Sequence, residues 1–484
     1  VTPTAIDWAY ESALTMSRPR LREIFEEMPE SAVVARLLVE ASLAQLSGDT
    51  EKATSLLRSA LRKASDDERP FVIDLLAPIY FMQGRNADLA ALLDQHVPTS
   101  DDVSRLILAM RAVAAAEAGR TDEARRISNL ADARSAESPL AEARLAQRFA
   151  LAAFHSKDYE GAISLAETSA KMFGDLNAQR LRATSYSILY IIHHSVTRNI
   201  LEALAWARGM TECAVLADDR SYETVGLVAQ YEIAAERFDR ESLQRLAVQL
   251  RSNSYPPQYR ERFAARIADF LPFSWDNDFT AFANGITALR DGLATTQASQ
   301  ALCHALLALA AVHAGDDESA RESSRLAIEL ANLKDAARIP VYELRYCRLA
   351  RALAAAACIL IGDTVRGQRI AASRAHEADD DLRAIVAVAE GMDIGKAPER
   401  VRGYARVVAT VMEKRALSGD CVLTKSEIEI LSQLAAGYSA AEIAAQSSRS
   451  VHTVRNHTRA IIAKFQVSGR MAAVAHARRL GIIP

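Results

Sequence analysis

Short polar turns recur along this chain at a spacing that leaves room for two antiparallel helices and little else. They are Ser47-Gly48-Asp49, Gln83-Gly84-Arg85, Ala118-Gly119-Arg120, Lys157-Asp158 and Thr197-Arg198-Asn199, then Gly315-Asp316 and Gly362-Asp363. In the first half they fall 35 to 41 residues apart, the period of a two-helix solenoid repeat. An acidic-x-Ala or similar step follows several of them: Glu51-Lys52-Ala53, Asp122-Glu123-Ala124, Tyr159-Glu160-Gly161-Ala162 and Glu318-Ser319-Ala320. Glycine at a helix C-terminus adopts the left-handed conformation without a Cβ clash. Alanine on the inner faces lets neighbouring helices approach closely. No single hairpin can bury its own apolar stripe, so stacked neighbours must complete one another's core.

Composition agrees. Half of the 484 residues are hydrophobic but only 6% are aromatic, and Gly and Pro are few, which favours helices over a β-sandwich or a disordered chain. The segment 251–300 is the weakest part of the pattern, with Pro256-Pro257 and the aromatic run Phe270 to Phe282. It reads as an irregular connection or a distorted repeat. Its aromatics read as core, with a ligand pocket on a concave solenoid surface as the alternative.

Several function classes find no support. There is no GxxxxGK[ST] loop; Gly391 to Lys396 is a partial echo without its strand. HExxH, GxSxG and dinucleotide fingerprints are missing, so no enzyme activity and no cofactor are expected. His193 and His194 are adjacent, and neighbouring side chains on a helix diverge, so no metal site is expected there. Cys213, Cys303, Cys347, Cys358 and Cys421 are scattered, an odd number without a CxxC pair. That excludes a disulfide framework and fits a reducing cytoplasm. No signal peptide is visible, and the apolar stretch Leu349 to Ile361 is too short to span a bilayer, so no membrane partner is expected.

Charge is divided unevenly. From Cys421 to Pro484 there are eight Lys/Arg and three Asp/Glu, so +5; the whole chain is −3, which leaves −8 for the first 420 residues. The tail is the part suited to a polyanion. Its residues also form a compact pattern. Thr424-Lys425-Ser426-Glu427 and Ser439-Ala440-Ala441-Glu442 are capping boxes, each opening a helix. The first helix ends at Gly437, a turn spans Ser447 to Arg449, and Ser450 caps a third helix from Val451 to about Phe465. A last helix starts near Ser468 and carries Ala472, Val474, Ala475 and Leu480 before Gly481. A short helix, a tight turn and a longer helix make a helix-turn-helix layout. On the third helix Val454, Thr458, Ile461 and Phe465 form the inner stripe, and Arg455, Asn456 and Arg459 lie opposite. Arginine forks suit guanine O6 and N7, and asparagine suits adenine N6 and N7.

At these residues the tail resembles the LuxR-type helix-turn-helix domain. It has Leu423-Thr424, Glu427, Gly437, Ser439, Glu442-Ile443-Ala444, Ser450, Thr453-Val454-Arg455, His457, Ile461, Lys464-Phe465 and Arg470. The resemblance implies that Arg455, Asn456 and Arg459 reach bases. It implies that Thr453, His457 and Lys464 hold phosphates, and that the last helix pairs two copies. Ser426 replaces a common Arg, and Ser447 and Arg449 stand where the family usually has apolar residues, which is expected to weaken packing of the turn. The hairpins resemble tetratricopeptide repeats, best at Glu117 to Ala124 and Phe154 to Ala162. Together the two parts look like the C-terminal portion of large ATP-binding LuxR regulators similar to the maltose activator, without their nucleotide-binding module.

The expected fold is therefore all-α: a tetratricopeptide-like right-handed solenoid over 1–415, then a four-helix LuxR-type domain over 416–484. The expected function is a bacterial transcription regulator, in which the body senses a small molecule or protein and controls promoter binding. Double-stranded promoter DNA, a second copy of the chain on DNA, and RNA polymerase are the expected partners. The alternative is a protein-binding adaptor whose tail mainly dimerises. Asp379 to Pro398, with Gly391, Gly395 and Pro398, reads as a hinge across which the acidic body could dock on the Arg455/Asn456/Arg459 face.

Overall fold

A computed structural model describes residues 4–96, 99, 101–132, 136–251, 262–332, 341–372, 380–417, 423–447, 449–465, 467, 469–479 and 482–483. Those residues are helical with short connections, and no strand occurs among them. Among the same residues no helix is long and apolar enough to cross a membrane. Cys213, Cys303, Cys347 and Cys358 are buried free thiols, and Cys421 lies outside the described residues. The chain forms two compact units, Val1–Tyr231 with Arg245–Glu261, and Glu232–Gln244 with Arg262–Pro484.

The first unit is a succession of helical hairpins. Val33–Leu46 pairs with Thr50–Lys63, Asp102–Glu117 with Thr121–Asp132, Pro139–His155 with Tyr159–Asp175, and Gln179–Ser195 with Ile200–Ala217. The first helix of one hairpin also packs on the first helix of the next: Arg69–Met82 on Asp102–Glu117, and Asp102–Glu117 on Pro139–His155. This nearest-neighbour pattern is tetratricopeptide-like. Alanines at the contacts are buried completely, among them Ala53, Ala109, Ala150 and Ala162.

One local device builds the hairpins. A single residue at each turn takes positive φ: Gly48 (86°), Gly84 (66°), Gly119 (76°), Gly315 (78°) and Gly362 (87°) among glycines. The amide of the next residue reaches back to the carbonyl five positions earlier. Examples are Asp49 N to Ala44 O at 2.9 Å, Asp158 N to Ala153 O at 2.9 Å and Asp316 N to Ala311 O at 3.0 Å. The same aspartate then caps the following helix, accepting Lys52 N (2.9 Å), Gly161 N (3.0 Å) and Ser319 N (3.0 Å) respectively. One residue pair thus satisfies orphan carbonyls of one helix and an orphan amide of the next.

The second unit corrects the reading of 251–300. Phe263–Trp275 and Phe279–Gly292 form a regular hairpin, and Gln297–Ala314 with Asp317–Leu330 forms another. The turn of the first is hidden from a glycine search because Asn277 carries it, whereas Gly315 marks the second. Phe238 (φ 61°) and Asn277 (φ 65°) take the left-handed conformation, as Lys157 and Arg198 do earlier. Asp278 still makes both bonds, to Phe273 O (2.8 Å) and from Ala281 N (3.0 Å). Most of the aromatic run is core: Trp275, Phe279 and Phe282 are buried, and Phe270 lies against Gly285, where a Cβ would meet the ring at 2.3 Å, while Phe273 is exposed. Pro256 and Pro257 lie outside the described residues.

The segment read as a hinge is largely folded. Asp380–Ala389 is a helix burying Ile385, Val388 and Ala389, and two 3-10 turns, Ile394–Lys396 and Glu399–Val401, lead into the helix Arg402–Leu417. Apolar residues at 385, 388 and 389 give one buried stripe, which outweighs the local glycines. Asp379 lies outside the described residues.

Candidate nucleic-acid interface

The tail folds around its own core. Lys425–Ala435, Ala440–Gln446, Val451–Lys464 and Arg470–Arg479 are its helices. Leu423, Ile430, Leu431, Ile443, Val454, Ile461, Phe465, Val474, Ala477 and Ile483 form one apolar cluster. Both capping boxes are present. Glu427 accepts Thr424 N at 2.7 Å while Thr424 Oγ1 accepts Glu427 N at 3.2 Å; Glu442 and Ser439 repeat this at 2.7 and 3.3 Å. Gly437, at φ 95°, ends the first helix, and Ser450 Oγ accepts Thr453 N at 3.0 Å to start the third. On the last helix Ala473, Val474 and Ala477 are buried while Ala475 is exposed. The alanine-rich sequence Arg470–Arg479 carries little polarity contrast to set that register. Leu480 and Ser468 lie outside the described residues.

The third helix sorts its side chains as the periodicity predicts. Val454 and Ile461 are fully buried, Phe465 is 5% exposed, and Thr458 is half-buried with its hydroxyl donating to Val454 O at 2.8 Å. Arg455, Asn456 and Arg459 are exposed. Among the described residues neither arginine has an ion-pair partner, so both guanidinium forks face solvent. His452 stands at i−3 from Arg455 and extends this outward face by one turn, with exposed Val451 beside it. Neither drew notice from the sequence pattern. Their signal is position alone, the first turn of a helix whose N-terminal residues meet base edges in this layout.

The three expected phosphate ligands separate. Thr453 is half-buried near the helix start, its hydroxyl 2.8 Å from Ser450 Oγ. His457 is half-buried; burial holds its imidazole below the usual histidine range, and Arg449 and Lys464 add to this against the pull of Glu427 and Glu390. Its surroundings thus favour the neutral imidazole, which offers one N–H. Lys464 is placed differently. Its residue is 9% exposed and its ammonium donates to Glu427 Oε2 at 2.6 Å, inside the domain. Glu427 is itself the carboxylate that caps the first helix, so Lys464 ties the third helix to the first. With its charge engaged there, Lys464 serves as a structural cation in this arrangement. The reason lies in angle: position 464 falls on the flank of the inner stripe, where a long side chain can turn inward.

Lys464→Ala leaves the buried Glu427 carboxylate without its cation. It should destabilise the tail by about 2 kcal/mol, below the usual loss for a fully buried pair because water reaches the site. Hydrogen exchange over 425–465 should speed up. The salt dependence of DNA binding should keep its slope, whereas losing a phosphate contact would lower it by about one.

The departures from the family pattern compensate one another. Arg449 Nη2 donates to Ser426 Oγ at 3.0 Å and lies 3.7 Å from Glu429. A large basic residue at 449 and a small one at 426 thus occupy the same space. Ser447 is half-buried and its hydroxyl donates to Ile443 O at 2.6 Å, so it replaces apolar packing with a helix-end bond. Side-chain hydrogen bonds thus replace apolar packing at both positions, with Arg449 Nη1 buried and without a partner among the described residues.

Residues 421–477 match the family model of bacterial regulatory proteins, luxR family. Comparison with curated proteins returns no match. Among solved structures the chain is similar to the tetratricopeptide domain of P58(IPK), at 13% identity over 74% of this chain and 98% of that chain, with a TM-score of 0.26. The capped four-helix geometry and the family match agree on the same stretch, and residues 421–477 are a helix-turn-helix domain of the bacterial luxR regulatory family.

Proposed function

We propose that the protein is a DNA-binding transcription regulator in which the helical-repeat body, residues 1–415, responds to a ligand or partner and controls promoter binding by the tail, residues 416–484. The observation that carries this is the exposed Arg455/Asn456/Arg459 face on the third helix of a luxR-family domain. Arg455 and Arg459 are the base-reading residues, with Asn456 between them. Thr453 and His457 contact phosphate and set register. A second copy pairs through the last helix, where Met471 is 69% exposed, to place two reading helices on two half-sites. Stacked hairpins offer extended surface for an effector or for RNA polymerase. Footprinting of the full chain on genomic fragments enriched by its own binding tests the reading. A two-fold-symmetric protected site is expected. Binding that stays indifferent to sequence at every salt concentration would favour the adaptor alternative.

A further inference from the structure

The outward face of the reading helix is open at one end and covered at the other. At about 100° per residue, Ala463 lies about 180° from Val454, directly opposite the core. Ala460 is likewise turned well away from it. Yet Ala460 is 9% exposed and Ala463 is half-buried. Their cover is the turn after the helix Asp380–Ala389. A Cβ built on Gly391 would lie 2.7 Å from Ala463 Cβ and 3.3 Å from Ala460 Cα. Gly391 has φ 101°, a conformation other residues rarely adopt. Helix Arg402–Leu417 packs on the reading helix as well, and Glu390 lies close enough to bear on His457. Three small residues, Gly391, Ala460 and Ala463, thus let the body seat on the C-terminal half of the face whose N-terminal half carries Arg455 and Asn456.

We infer that the turn Glu390–Met392 is a latch that holds the reading helix out of the DNA groove. The inference rests on the DNA-binding reading above and specifies its regulation. Ala463 is only four residues, or about 6 Å along the axis, from Arg459. The major groove is about 12 Å wide and is walled by phosphates. A turn seated on Ala460 and Ala463, backed by the helices Asp380–Ala389 and Arg402–Leu417, occupies space that the duplex wall needs. The contact is steric and apolar. It differs from the expected electrostatic docking, since Arg455, Asn456 and Arg459 themselves stay exposed. Release of the latch is therefore insensitive to salt, and a change in the body that withdraws Gly391 by a few ångströms is enough to open it.

The test compares the full chain with its Gly391→Val variant. A larger side chain at 391 cannot fit against Ala463, so the variant is held open. Two readouts are used: amide exchange over 456–465, and fluorescence anisotropy of a labelled 30-base-pair duplex of random sequence. If the closed form is nine-tenths populated, opening it raises apparent affinity about tenfold. Faster exchange with about tenfold tighter binding is expected. Gly391→Ala should give a smaller effect in the same direction, and exchange over the tail's first helix, 425–435, should stay as in wild type in both variants. If exchange over 425–435 rises together with that over 456–465, loss of fold explains the gain and the latch is wrong. Unchanged exchange and affinity in Gly391→Val also overturn it. Faster exchange without duplex binding by either protein instead refutes the DNA-binding reading on which the latch depends.

Discussion

Replacing Arg455 and Arg459 together by alanine is expected to abolish sequence-selective DNA binding while leaving the tail folded. Each guanidinium can make a bidentate pair with a guanine edge, worth about 1–3 kcal/mol of discrimination. Their joint loss therefore amounts to roughly 2–6 kcal/mol at the specific site, provided the two contacts add. Neither side chain is buried, so exchange protection over 425–479 should not change. Residual binding should be the salt-dependent, sequence-indifferent kind that phosphate contacts supply. Competition titrations against specific and random duplexes at two ionic strengths measure both quantities. Equal losses on the two duplexes would reassign the arginines to the phosphate backbone.

The second large effect is expected in the first unit, far from any proposed DNA contact. Asp74 sits in the middle of the mostly apolar helix Arg69–Met82 and its side chain is fully buried. Arg144 Nη2 and Arg148 Nη1 each approach its carboxylate at 2.6 Å, and Tyr10 Oη donates to it at 2.5 Å. Burial alone would raise the Asp74 pKa, but the two guanidiniums hold it below the usual carboxylate range. Asp74→Ala leaves two buried guanidiniums facing each other without an anion. Breaking such an arrangement from one side costs about 3–5 kcal/mol. The unfolding transition of the first unit should move to lower denaturant, and Tyr10→Phe should shift it in the same direction by less. The sign for pH follows from the lowered pKa. The stabilisation is present above the unfolded carboxylate value and is lost as pH falls through the lower folded one. An Asp74→Ala chain as stable as wild type at neutral pH would show that water or a shifted backbone satisfies the arginines.

Much of this molecule is local chemistry, and local chemistry is legible in sequence. A glycine followed by aspartate marks a left-handed turn and the next helix cap at once, as at Gly48-Asp49 and Gly315-Asp316. The capping boxes at Thr424 and Ser439 and the inner stripe of Val454, Ile461 and Phe465 depend on residues within one or two turns of each other. Where Phe238 or Asn277 stands in place of glycine the same positive-φ turn forms; asparagine signals it more weakly than glycine does, and phenylalanine does not signal it at all. Tertiary structure alone decided the rest. Lys464 pairs with Glu427 across 37 positions, and Arg449 meets Ser426 across 23. Asp74 finds Arg144 across 70. Gly391 touches Ala463 because two helical segments converge there. Charge and side-chain length show what a residue can do; which partner lies within 3 Å depends on the folded path of the whole chain.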